Sequence, residues 1–173
     1  MRESAVPLEV EVLPRRKGQP RPLGEAYWDE DDLFIYFQRD YEPGEGIGLN
    51  GEATIAIDVA TDGRIAHFDV VLAEWQVSAG LSPPRPSMRG DLVVKGFTRE
   101  FVDVKCVTNA ARSLACIGID QGQTAVTVDV AKYLIAEVGE ANSLLRLWVL
   151  RIEEGVPAWL DEKIRQGWGC RNG

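Results

Sequence analysis

The stretch ATIAIDVATDGRIAHFDVVLAE, residues 53–74, decides the fold class. An Asp62-Gly63 pair sits between two runs rich in β-branched and aromatic residues. Such a pair signals a hairpin, because glycine adopts the positive φ of a tight turn at no steric cost. With Asp62 and Gly63 as the turn, Ile57 faces Phe68, Ile55 faces Val70, Ala53 faces Leu72 and Val59 faces Ala66. All of these are apolar and share one face. The other face sets Asp58 against His67, Ala56 against Asp69 and Thr54 against Val71. A slip of one residue would mix the two sets, so the pattern fixes the register.

Residues on either side extend the same reading. Toward the N-terminus, residues 33–37 (LFIYF) form a short apolar, aromatic run that predicts a strand buried on both faces. Residues 41–51 hold four glycines and a proline and predict a loop. Residues 6–12 alternate as a half-buried strand, and residues 14–24 (PRRKGQPRPLG), with three prolines and four bases, predict an extended connection. Toward the C-terminus, residues 78–91 are a second Pro-rich connection. Strands are expected at 101–107, 114–119 and 124–130, with turns near Asn109 and Gln121-Gly122. Residues 144–153 favour strand over helix. Pro157, Leu160 and Ile164 predict a short helix near 157–166, with Gly167 as its cap. The stretch 51–60 echoes 122–131, matching at four of ten positions, as two related strand units would. The expected fold is mainly β, or α+β, with antiparallel hairpins. One compact domain over residues 1–173 is expected, with sub-units 1–77 and 91–155 joined by the Pro-rich connection.

Composition bounds the class of protein. A chain of 173 residues is long enough to bury a core without staples, and 45% apolar with 27% charged residues is ordinary globular usage. The apolar runs are far too short to span a membrane, and the first residues do not resemble a signal peptide. Cys106, Cys116 and Cys170 are too few for a disulfide framework, and no Asn-x-Ser/Thr acceptor occurs. A soluble protein of the reducing cytoplasm is the expectation. The net charge of −8 is concentrated: from Glu25 to Asp58 there are ten acids and one base, Arg39. Such a field repels nucleic-acid phosphate and anionic membrane, and it favours a basic protein face.

The segment Tyr27-Trp28-Asp29-Glu30-Asp31-Asp32-Leu33-Phe34-Ile35-Tyr36, followed by the Asp62-Gly63-Arg64 hairpin, resembles a small bacterial β-domain family of unknown function. Its members read roughly Tyr-Asp-x-x-x-Asp-x-Leu-Tyr-Ile before an Asp-Gly-Arg hairpin. The likeness covers residues 27–74, and Trp28 stands where an aspartate is usual. What it implies is a small β-unit there, with no particular chemistry.

Three residue sets could carry function. His67 lies beside Asp58 across the hairpin and two residues from Asp69, so paired carboxylates would favour its charged form. Such a cluster suits a hydrolase or a metal-assisted enzyme; the plainer reading is an ion pair on the hairpin's solvent face. Gly46, Gly48 and Gly51 match G-x-G-x-x-G in form, but a strand follows where a dinucleotide site needs a helix. Counted from Asp40, EF-hand spacing fails at Glu45 and Gly51, and no Cys/His spacing suits zinc, so neither cofactor nor metal is expected. The third set is Trp28, Asp29, Asp31, Asp32, Tyr41, Glu42 and Glu45, aromatics amid acids that would steer and hold a basic partner. The leading expectation is a non-catalytic acidic protein that engages a basic protein, as an inhibitor or immunity-type protein does. Carbohydrate binding through an exposed Trp28 or Trp75 is a further alternative.

Overall fold

The computed structural model describes residues 1–166. In chain order the strands are β1 (Arg2–Glu3), β2 (Leu8–Pro14), β3 (Glu25–Asp29), β4 (Asp32–Tyr36), β5 (Pro43–Asn50), β6 (Thr54–Ala60), β7 (Ile65–Val71) and β8 (Gln76–Val77). They continue as β9 (Met88–Phe97), β10 (Lys105–Thr108), β11 (Ala115–Gly118), β12 (Thr124–Ala131), β13 (Leu134–Gly139), β14 (Leu144–Val149) and β15 (Glu153–Glu154), and helix α1 (Ala158–Arg165) follows. Two sheets result. One runs β15-β3-β4-β7-β6-β5; the other runs β1-β9-β12-β13-β14-β11-β10-β8, with β2 also paired to β9.

One apolar core joins the sheets. Leu33, Ile35, Ile55, Ile57, Phe68 and Val70 from the first sheet share it with Ile117, Val128, Ala136, Leu147 and Val149 from the second. Strand alternation explains the pattern, since every second residue of a pleated strand points to the same face. The fold is mainly β, in one compact domain, with the single short helix at the C-terminal end of the described chain. The sub-units expected at 1–77 and 91–155 are interlaced. β1 and β2 pair with β9 in the second sheet, whereas β15 pairs with β3 in the first. The echo between 51–60 and 122–131 falls on β6 and β12, which differ in setting: β6 lies between two antiparallel neighbours, and β12 pairs in parallel with β9.

The hairpin has the expected register from Thr54↔Val71 to Asp58↔His67, and it departs at both ends. Near the turn, a bulge brings Val59 opposite Ile65 instead of Ala66. The loop is longer than two residues: Ala60 N–H donates to the Arg64 carbonyl, and Gly63 holds φ of 86°. That is the geometry of a three-residue loop closed by a left-handed glycine. At the far end Leu72 takes a positive φ and is exposed, so it does not join the apolar face opposite Ala53.

Residues 41–51 form an edge strand in place of the expected loop. Ile47 and Leu49 alternate into the core, and ladder bonds to β6 outweigh the poor strand propensity of the glycines between them. Strand 101–107 shrinks to β10, leaving Phe101 exposed. β9 begins inside the expected Pro-rich connection 78–91, whose last residues pair with β2 and β12, and β3 and β13 form in segments for which no strand was expected. Cys106 and Cys116 do not face each other; they pair with Ile117 and Val107, which turns Cys106 to the core and Cys116 to the outer face. Gly167 and Cys170 lie outside the described residues. No helix among the described residues is long and apolar enough to cross a membrane.

Candidate functional site

The register of three strands assembles the histidine cluster. β6 sets Asp58 opposite His67, β4 sets Tyr36 opposite His67, and Asp69 follows two residues along β7 on the same face. This face points away from the inter-sheet core, yet it is not open to solvent. α1 lies across it, with Leu160 fully buried against Tyr27 and Tyr36 and with Trp159 edge-on to Tyr36 at 5.0 Å. His67 is 1% exposed. The expectation of an ion pair on a solvent face is therefore corrected: the helix, more than ninety residues later in sequence, encloses it.

Inside this enclosure His67 Nδ1 lies 3.3 Å from Asp58 Oδ2, and His67 Nε2 makes a close ion pair with Asp69. The imidazole stacks on Tyr36 at 4.1 Å with an interplanar angle of 12°. Tyr41 Oη donates to the same Asp58 oxygen at 3.1 Å. Burial works against charge on the ring, but the attraction of Asp69 and the hydrogen bonds to Asp58 and Asp69 outweigh it and raise the His67 pKa above 6.5. Burial likewise pushes Asp58 upward, yet its bond with His67 outweighs this and leaves the carboxyl below its usual range. Asp69, deeper in the protein, is raised chiefly by burial.

This arrangement places a buried imidazole between two carboxylates, with the histidine 1% exposed. General acid–base catalysis needs the ring within hydrogen-bond reach of a bound reactant. Cavities of up to about 500 Å³ among the described residues take their walls from residues outside this cluster. No group of three or more His, Cys, Asp or Glu side chains among the described residues is disposed to hold a metal ion. The geometry is that of an internal ionic cluster tying β6 to β7 beneath the helix that packs on Tyr27 and Tyr36.

The acidic, aromatic set is divided by the fold. Trp28 is 1% exposed and offers no contact area. Its indole N–H donates to the Arg112 carbonyl at 2.7 Å, the Arg112 guanidinium lies 4.2 Å over its ring, and Trp75 packs edge-on at 4.8 Å. Asp31 is paired with Arg112, and Asp32 accepts a bond from the Leu72 N–H. Asp29 is exposed at the same hairpin end. Tyr41 is half-buried and committed to Asp58. Glu42 and Glu45 are exposed and form no ion pair with any described residue. Strand registers carry the Asp32 end of β4 across β7 and β6 to Asn50, the far end of β5 from Glu45. At ~3.4 Å per residue and ~4.8 Å per strand, the two groups stand about 20 Å apart.

The sequence reading missed what now stands out at the second group. β5 is the outer strand of its sheet, with β6 as its one strand neighbour among the described residues. Its residues 43–46, 48 and 50 are exposed, and a side chain at Gly48 would meet open space. The signal lay in residues 47–49, where Ile and Leu alternate with glycine. No protein-family model and no curated protein matches this chain.

Proposed function

We propose that this chain is a non-catalytic binding protein that takes an extended, basic segment of a partner protein along β5. One observation carries this reading: the glycine-rich outer strand β5 leaves residues 43–46 and 48 exposed beside an edge with no strand partner among the described residues, save at its far end, where the Asn50 carbonyl accepts from the Val102 N–H. Natural sheets blunt long edges with charge, proline, bulges or a covering element, because unpaired N–H and C=O groups template another strand; Pro43, Glu45 and the bulge between Pro43 and Gly46 do this at the start of β5, and residues 46–49 carry none of these. Gly48 leaves open space beside this edge, and main-chain bonds to an added strand would supply affinity.

Charge favours the kind of partner. From Asp40 to Gly63 the chain has six acids and no Lys or Arg. Of these, Glu42 and Glu45 flank the edge without a cation. Acids at a rim steer a basic segment and add specificity more than affinity. A protein that neutralises a cationic enzyme by occupying one of its exposed strands would have this character.

The test is affinity capture at low salt from the source organism, comparing the wild-type protein with Glu42→Lys/Glu45→Lys. Both substitutions are on exposed positions, so equal melting temperatures verify the fold. A basic protein retained by the wild type and released by the variant and by salt is the expected result. Retention that ignores both overturns the proposal.

A further inference from the structure

The N-terminal Pro-rich connection gathers the opposite charge. Arg15, Arg16, Lys17 and Arg21 follow β2, and Arg89 joins them from the start of β9, where the Arg15 N–H donates to the Arg89 carbonyl at 3.0 Å. These five bases line a cavity of about 300 Å³, the low end of small-molecule sites. Two acids serve the group. Asp91 pairs with Arg15 at 2.6 Å and with Arg64 at 3.3 Å; Asp129 pairs with Arg21 at 2.7 Å and more distantly with Arg89. Arg16 and Lys17 are exposed and form no ion pair with described residues. Counting Arg64, which also pairs with Asp62, six bases meet three acids, an excess of three positive charges in a chain of net −8.

Arg15 adds an independent observation. Its side chain is 5% exposed, and Nη2 is saturated by Asp91, the Gly90 carbonyl and the Val130 carbonyl. Its Nη1 is buried and has no acceptor among the described residues. A buried donor left unmet is costly. The bases repel one another, yet three strands and a tight turn at Arg16–Gln19 hold them together. An anion would relieve the repulsion.

We infer that this cavity binds a small phosphate-bearing anion, with Arg16 and Lys17 as its outer contacts and Arg15 as part of its fixed wall. Guanidinium groups suit phosphate because their planar N–H pairs match its oxygens, while lysine adds a mobile charge. The inference stands apart from the β5 reading and shares no residue with it.

Calorimetry on the full chain at low salt tests it, with inorganic phosphate, pyrophosphate and adenosine diphosphate as probes. Saturable binding of pyrophosphate with Kd below ~1 mM is expected, weakened at least ~10-fold in Arg16→Ala/Lys17→Ala. Adenosine diphosphate binding as pyrophosphate does assigns the phosphates alone; tighter binding assigns a nucleoside diphosphate, and both support the inference. No saturable heat with any probe overturns it, as does unchanged affinity in the double variant. Equal competition by sulfate and chloride, an adventitious ion only, also overturns it. So does tighter binding of a single-stranded oligonucleotide, which would reassign the cluster to nucleic acid.

Discussion

Replacing His67 by alanine probes the ionic cluster beneath α1. The imidazole touches two carboxylates whose side chains are 29% and 10% exposed, Asp58 and Asp69. Removing one partner of a buried ionic group leaves uncompensated charge and costs about 3–5 kcal/mol. Loss of the stack on Tyr36 adds roughly 0.5–1.5 kcal/mol. An eight-residue helix is marginal alone, so α1 depends on this face for its order. For a chain of this size the combined loss corresponds to a drop in melting temperature of about 7–26 °C. The assay is urea unfolding at pH 6, followed by tryptophan fluorescence. Adding Asp69→Asn to His67→Ala should return part of the stability, because the buried carboxylate that lost its partner becomes neutral. A single-variant loss under ~1 kcal/mol, or strict additivity of the two substitutions, would refute the ionic cluster.

Wild-type stability should also follow pH with two limbs. The stabilisation from His67, whose folded pKa is raised, is complete below 6.5 and lost as pH climbs through the folded value. That from Asp58, whose folded pKa is lowered, is present above 3.8 and lost as pH falls through the folded value; Asp69, raised by burial, works oppositely and blunts this acid limb. Unfolding free energies from pH 3 to 9 should therefore decline on the alkaline side in the wild type and lose that His67 contribution in His67→Ala; an identical alkaline limb in both would contradict the assignment. Trp28→Ala should cost about 3–5 kcal/mol in chemical denaturation, since a full indole and its seat under Arg112 are lost, and a near-neutral effect would mean Trp28 is not a core residue. Burial pushes the thiols of Cys106 and Cys116 up to about 12, so peptide mapping after iodoacetamide at pH 8 should find both unmodified until urea is added; prompt labelling of either in the native protein would disagree with its burial.

Local pattern determined a good deal of this molecule. The alternation around Asp62-Gly63 set the hairpin register over residues 54–58, and with it the neighbourhood of Asp58, His67 and Asp69. Strands at 33–37, 114–119 and 124–130 and the terminal helix follow from periodicity as well, because each signal lies within a few residues. Only tertiary contact decided what covers them. Burial of His67 depends on α1, and burial of Trp28 depends on Arg112. Both partners are distant in sequence, and composition carries no record of them. Whether residues 43–50 become loop or strand turns on the availability of β6 for ladder bonds, a choice made outside the segment itself. The same holds for charge. Carboxylates of one acidic segment separate to two corners of a sheet, while bases from β9 and the β2 connection converge on one cavity, because strand order, not sequence order, sets distance in a folded sheet.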